Sequence, residues 1–405
     1  MRERKSSLNL TLAVVFLLPL RPMHPAAPSQ STQPLRVLFV MWGFPKVSET
    51  FAFAQMTGLI KRGHHVSIHA RKHVHDPVHA EVEAFKLLER CTFGPSLPNL
   101  SHFDVIFCTF GNTSGIKWNN NKSLLDLKEK GAFRGLLVSG LHGLDWTLVK
   151  KRSKKELTRL LKHTDLFMPV NQCFVDELTS KGCPQSKIKL LPTGINMNQL
   201  DVTRRKKDEK AVNLLCVGRL IEKKGHRILF HALAQLTSMY PDIMLTIIGD
   251  GPEEKTLRSL SSKLGIQKNL NFTGSVTHKE VVQHLAATDI FVLASLTARN
   301  GDREGVPVVL KEAMGTGIPV VSTYHSGIPE LIKDGERGFL VPESNAEALA
   351  KKLKFVIENA ETARKVASSG QEHIKRFFDL ESLNNSLSYL LINLATRKRP
   401  QKSRR

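Results

Sequence analysis

The chain is poor in aromatic residues, which make up 6% of its 405 positions, and in acidic ones, with 37 Asp and Glu against 59 Lys and Arg. The resulting charge of +22 invites a nucleic-acid reading. With so few aromatics, and none of the motifs of the common binding modules, that class is the weaker choice. Cysteine is scarce too: Cys91, Cys108, Cys173, Cys183 and Cys216 form no C-x-x-C pair and no repeated spacing. Neither a disulfide framework nor a zinc cluster is therefore indicated, and a reducing compartment fits best. The apolar run at Leu8 to Leu20 falls short of the about 20 residues a membrane span requires.

What is present is the composition of a globular protein, 41% hydrophobic and 24% charged, in a chain long enough for two full cores. The charge is uneven. Residues 35–210 hold 28 basic against 16 acidic residues, whereas 211–372 hold 19 against 18. Residues 1–34 (Arg2, Arg4, Lys5, the apolar run, then a Pro/Ser/Gln-rich spacer) and 373–405 are basic as well. A one-sided basic surface suits an anionic membrane or a phosphorylated partner. Residues 1–34 have the layout of a signal peptide or short anchor without a clear A-x-A site, and are read as an uncleaved anchor or an upstream extension.

Buried-strand patterns recur at Leu35–Met41, His65–Ala70, Phe103–Thr109, Gly135–Ser139 and Leu166–Val170, and helical patterns intervene. Trp42 to Phe51 reads as a strand-to-helix turn with Ser48 as N-cap, and Gly63 stops the helix that follows. A charged linker, Asp201–Lys210, leads into a second alternation: strands at Val212–Val217, Met244–Ile248, Leu270–Val276, Ile290–Leu293 and Ile318–Ser322, and helices ending with Ala346–Asn359 and Phe377–Leu394. This predicts α/β architecture with two doubly wound sheets. His64, His65, His69, His73, His75 and His79 crowd one region, but no spacing among them repeats a ligand framework, so no metal site is expected.

The most informative stretch is Arg299 to Ser326. A polar Gly-containing loop enters a helix with Pro307 as first helical residue, and Gly315 and Gly317 end it. Such a helix directs free amide groups at whatever lies in front of it, favouring a phosphate. Glu304 in the loop and Glu312 in the helix suit hydrogen bonds to hydroxyl pairs. Glu304-Gly-Val-Pro-Val-Val-Leu-Lys-Glu312, seven residues between its glutamates, resembles the E-x7-E signature of the family-4 retaining glycosyltransferases, which have the GT-B fold. Gly218-Arg-Leu-Ile-Glu-Lys-Lys-Gly225 resembles the family's Gly-Arg-x4-Lys-Gly element. Phe44-Pro-Lys-Val-Ser-Glu-Thr-Phe51 resembles the opening of the colanic-acid-type, exopolysaccharide branch.

The resemblance, covering residues 35–395, implies two Rossmann-like domains facing a cleft: an acceptor-side domain over 35–210 and a nucleotide-sugar domain over 211–372. A crossover helix and basic tail follow in 373–405. It implies a metal-independent hexosyltransferase that retains anomeric configuration. A nucleoside-diphosphate sugar is the co-substrate and no cofactor is needed, since the sequence also lacks an Asp-x-Asp triplet. Arg219 and Lys224 are expected on the diphosphate, Glu312 on the ribose, and Glu304 and His142 on the transferred sugar. Gly43, Gly305, Val306 and Val308 are expected to complete the donor site. His142 stands at a strand's C-terminal end, where open α/β sheets place ligands. The expected acceptor is a lipid-linked saccharide, reached by peripheral association with the cytoplasmic face of the membrane. The competing readings are a catalytically silent nucleotide-sugar-binding protein and a basic nucleic-acid-binding protein.

Overall fold

The computed structural model describes residues 33–46, 49–75, 79–118, 121–200 and 212–398. The Leu8–Leu20 run, Ser48, the charged linker and the tail beyond 398 lie outside the described residues.

Two six-stranded parallel sheets account for the alternation. The first contains β1 (Arg36–Phe44), β2 (His65–His73), β3 (Cys91–Phe93), β4 (Val105–Cys108), β5 (Leu136–Leu141) and β6 (Leu166–Pro169) in the order β3-β2-β1-β4-β5-β6. The second contains β7 (Asn213–Val217), β8 (Met244–Ile248), β9 (Leu270–Gly274), β10 (Ile290–Val292), β11 (Val320–Thr323) and β12 (Phe339–Val341) in the order β12-β11-β10-β7-β8-β9. Both follow the doubly wound pattern in which the chain reverses direction beside the first strand, leaving a crevice at the strands' C-terminal ends between β1 and β4 and between β7 and β10. Val37 to Met41 are buried without a break, as expected of a central parallel strand covered on both faces. Alternate residues serve the two faces: Val37, Phe39 and Met41 join one core cluster, Leu38 and Val40 the other.

Three details differ from the sequence reading. β1 runs on through Trp42, Gly43 and Phe44, because β2 continues to His73 and offers ladder partners at Gly43↔Lys72 and Phe44↔His73. Gly43 is thus a strand residue, and the turn begins at Pro45. A helix at Ala360–Phe377, not read from the sequence, packs Ala363, Val366, Ala367 and Ile374 inward. The last helix is Leu380–Lys398, starting three residues later and ending four later than expected. Between the two, the backbone is used elsewhere: Ile195 N–H donates to the Phe378 carbonyl at 2.9 Å and Leu380 N–H to the Ile195 carbonyl at 3.0 Å. The two passages of the chain between the sheets are tied to each other there.

The last helix does cross back. Leu387, Leu391 and Ala395 enter the core of the first sheet beside Phe53 and Met56. Asn384 Nδ2 donates to the Ala54 carbonyl at 3.1 Å, and Arg62 pairs with Glu381 at 2.9 Å.

Candidate active site

The loop after β10 leads into the helix Val308–Gly315, for which Pro307 is the N-cap with an extended ψ of 126°. Pro307 therefore precedes the helix rather than starting it, and the amides of the first turn, from Val308, have no intrahelical acceptor. Gly315 is the last helical residue, and Gly317, at φ +69°, makes the left-handed turn into β11. Four residues into the helix from Val308, Glu312 projects from a partly exposed position.

Glu304 is buried, and its Oε1 lies 2.8 Å from Lys224 Nζ. Burial alone would raise the Glu304 carboxyl, but Lys224 and then Lys223 outweigh it and hold it below the usual carboxylate range. Lys223 is itself paired with Asp302 at 3.1 Å. Lys224 reaches the glutamate by lying across Gly218, where a β-carbon would stand 3.0 Å from its Cε. Two residues assigned to different parts of the donor are thus partners of each other. Arg219 on the same turn is exposed and makes no ion pair among the described residues.

The Glu304 backbone is fixed by groups that the sequence reading did not single out. Its N–H donates to His325 Nε2 at 3.0 Å, and the other ring nitrogen of His325 meets Glu343 at 2.7 Å. With Nε2 accepting, Nδ1 carries the proton toward the carboxylate. Ser326 Oγ donates to the Glu304 carbonyl at 2.7 Å. His325 follows β11 at its C-terminal end, the same positional signal that marked His142. Glu312 has a partner as well: His278 Nε2 lies 2.9 Å from its Oε1, and that hydrogen bond raises the His278 pKa.

His142 follows β5, as expected. Its ring lies 4.1 Å from Phe51 and 5.6 Å from Phe110, centroid to centroid. Burial, and second the charge of Lys311, pull its pKa down to about 3, against a hydrogen bond to the Thr109 backbone. The imidazole is therefore neutral at physiological pH, a hydrogen-bonding group and not a cation.

The glutamate loop rests directly on the His142 turn. A β-carbon at Gly305 would stand 2.5 Å from the His142 carbonyl and 2.7 Å from Val170. One at Gly143, at φ +153°, would stand 2.6 Å from the Arg303 carbonyl. Asn171 Nδ2 donates to the Gly305 carbonyl at 3.1 Å, and its Oδ1 caps the helix Gln172–Ser180. Arg303 pairs with Glu177, and Gln172 N–H donates to Glu330 at 2.8 Å. These contacts bring Glu304, Gly305, Lys224 and His142 into one locus, with Val306 and Val308 next in the chain. Gly43 lies near the C-terminal end of β1, where a β-carbon would meet Val74, Lys46 and Lys72. Lys46 is held by Glu49 at 3.0 Å.

Lys311 is a further residue that the sequence alone did not mark. It is completely buried, and its Nζ donates to both the carbonyl and the hydroxyl of Thr193, at the first crossing between the domains. Its signal in the sequence was a lone cation inside the apolar run Val308-Val-Leu-Lys-Glu-Ala-Met314.

Among the described residues no three His, Cys, Asp or Glu side chains are arranged to hold a metal ion. Of the crowded histidines, His64 is hydrogen-bonded to Leu35 N–H and Ser388 and His69 to Thr92, while the rings of His73 and His75 meet edge to face.

Comparison with known proteins gives the arrangement a context. A family model described as "Glycosyl transferases group 1" matches residues 199–373. The putative colanic acid biosynthesis glycosyltransferase WcaL of Salmonella typhimurium is 30% identical over 403 residues, covering 88% of this chain and 99% of that protein. The amylovoran biosynthesis glycosyltransferase AmsK of Erwinia amylovora is 32% identical over 271 residues, 66% of this chain and 67% of its own. Among solved structures, Anabaena Alr3699/HepE in complex with UDP and glucose superposes with a TM-score of 0.70 at 20% identity, over 89% of this chain and 100% of that one. That likeness concerns the fold: two Rossmann-like domains in the GT-B arrangement.

Proposed function

This chain belongs to the group 1 glycosyltransferases, and from that premise we propose that it moves a hexosyl unit, with retention of configuration, from a nucleoside-diphosphate sugar to a lipid-linked saccharide. The observation that carries the reading is the Lys224–Glu304 ion pair at 2.8 Å, its carboxylate buried, in the loop that enters the helix Val308–Gly315. In the transfer, the bond from the anomeric carbon to the diphosphate breaks and a bond to an acceptor hydroxyl oxygen forms, the hydroxyl proton leaving with the diphosphate or to solvent. Negative charge grows on the departing phosphate. Lys224, Arg219 and the first-turn amides of the Val308–Gly315 helix are fixed donors for that charge and need no reorganisation as it develops. Glu304 lies against the transferred sugar, neutral His142 faces it from the first domain, and Glu312 takes the ribose hydroxyls.

The test is a panel of sugar nucleotides offered to the purified protein, scoring release of nucleoside diphosphate. One or a few donors should be turned over, and EDTA should leave the rate within about twofold, because cationic side chains stand where another fold uses a metal. Complete loss in EDTA, restored by manganese or magnesium, would remove the leaving-group role from Lys224 and Arg219.

Among the described residues no helix is long and apolar enough to cross a membrane, and the proposed route to a lipid-linked acceptor is the basic first domain. In the helix Lys154–His163, Leu160 and Leu161 are buried while Lys154, Lys155 and Lys162 are exposed. A surface lysine near anionic lipid contributes about 1 kcal/mol. Flotation with anionic vesicles should therefore be strong at low salt, and weaker when these three become glutamine. Equal flotation with neutral vesicles would contradict the electrostatic route.

A further inference from the structure

The first domain holds a cavity of about 340 Å³, outside the glutamate site, between the turn Gly111–Gly115, the helix Leu124–Glu129 and the helix Lys154–His163. Its lining includes Lys117, Lys122, Lys130, Arg152 and Arg159, with two carboxylates, Asp126 and Glu156. Both carboxylates are already used. Asp126 Oδ1 accepts from Arg159 at 2.6 Å, and its Oδ2 from the Ser123 N–H and hydroxyl at 2.5 and 2.8 Å. Glu156 Oε2 accepts from the Ser153 N–H and hydroxyl at 3.3 and 3.0 Å, as the other half of a capping box.

Four cations therefore face this space without a carboxylate in ion-pair contact among the described residues. Arg152 is the most constrained of them. Its guanidinium lies on Gly115, where a β-carbon would stand 2.0 Å from Nη1, and Nη2 donates to the Asn112 carbonyl at 2.9 Å. Burial lowers its pKa, against the opposing charge of Glu156. A partly desolvated guanidinium whose neighbouring carboxylate, Glu156, acts on it only from beyond ion-pair contact is a costly arrangement that a bound carboxylate or phosphate would offset, and arginine's planar fork suits both.

The cavity is joined mechanically to the site. Gly111 N–H donates to Asp145 Oδ2 at 3.0 Å, and Asp145 Oδ1 accepts from the N–H groups of His142 and Gly143 at 3.0 and 2.8 Å. One buried carboxylate thus joins the His142 turn to the turn Gly111–Gly115, whose last residue lines the cavity, both turns lying beyond the C-terminal ends of β4 and β5. A flat bilayer cannot enter a recess of this size, whereas a phosphate or an acidic sugar can.

Resting on the glycosyl-transfer reading, we propose that this cavity binds an anionic group of the acceptor, a phosphate or a sugar carboxylate, and thereby presents the acceptor's hydroxyl past His142 to the donor. Two sources share that chemistry: the phosphate linkage of a lipid carrier, and a uronic acid in the saccharide.

The test is calorimetry on the full chain in the presence of saturating UDP or GDP, titrating pyrophosphate in one arm and glucuronate in the other at low ionic strength. At least one should bind at a site whose affinity falls at least tenfold in Lys117→Gln/Lys122→Gln/Arg152→Gln, with nucleotide affinity unchanged as evidence of an intact fold. The double variant Lys117→Gln/Lys122→Gln, which leaves Arg152 on Gly115, should lose at least threefold. Binding of pyrophosphate alone identifies a phosphate, and of glucuronate alone an acidic sugar; either supports the proposal. Absence of binding by both, or binding equal in wild type and variants, overturns it. If neither nucleotide binds, the donor reading fails separately, while probe binding that the cavity variants abolish still supports the anion site.

Discussion

Replacing Glu304 by glutamine should lower kcat by about ten- to a hundredfold while nucleoside-diphosphate affinity holds or improves. The size is that of losing one charge-assisted hydrogen bond, about 1.5 to 3 kcal/mol. The direction follows from the ion pair at 2.8 Å. Glu304 and an incoming phosphate compete for Lys224, so removing the carboxylate's charge frees the amine for the diphosphate. What is lost is a negative charge beside the sugar, where charge changes during reaction, and a loss confined to the transition state appears in kcat. The variant should also melt lower, because it leaves the partly buried Lys224 without its partner, and nucleotide should restore much of that difference. Steady-state kinetics beside calorimetry checks both halves. Diphosphate binding abolished with kcat unchanged would reverse the roles given to Glu304 and Glu312.

Lys311→Met should remove a pH dependence of stability that the wild type shows between about pH 7 and 9. Burial pulls the Lys311 amine down to about 7, against the opposing charge of Glu312, whereas in the unfolded chain it titrates near the usual 10.4. Above pH 7 the unfolded state binds a proton that the folded state does not, so stability from this group rises with pH and levels off near the unfolded pKa. One proton corresponds to about 1.4 kcal/mol per pH unit, roughly 2 to 3 kcal/mol over this window. The difference in unfolding free energy between wild type and variant cancels other groups, including Lys128, which burial and Lys398 lower to about 8. A difference independent of pH would place the amine outside the buried Thr193 contact. Activity should fall as well, since Lys311 ties the helix bearing Glu312 to the interdomain crossing.

The glutamate motif and the cationic turn after β7 were legible because each depends on local spacing, seven residues between glutamates and a glycine at each turn, whereas the return of the last helix was implied by the family resemblance alone. The extent of β1 was not legible, since Gly43 becomes a strand residue only through its pairing with Lys72 of another strand. The break at Phe378–Asp379 depends likewise on Ile195, far away in sequence. The partners of the candidate residues were hidden for the same reason. Nothing near Glu312 announces His278, and nothing near Glu304 announces Lys224, 80 positions earlier, as its counter-ion. Lys311 was the visible anomaly, a cation in an apolar run, whose meaning needed Thr193. Asp145 is similar: the sequence showed it three residues after His142, and the fold shows it joining that turn to the Gly111 turn.

The central claim is that a nucleoside diphosphate seats on Lys224 and Arg219 before the Val308–Gly315 helix with its ribose on Glu312, and metal-free calorimetry with UDP and GDP tests it most directly. The account predicts one-to-one binding of at least one of them in EDTA, weakened about ten- to a hundredfold by Lys224→Gln and by Glu312→Gln and left unweakened by Glu304→Gln. Binding that requires a divalent metal, or that survives both Lys224→Gln and Glu312→Gln at full strength, would contradict it.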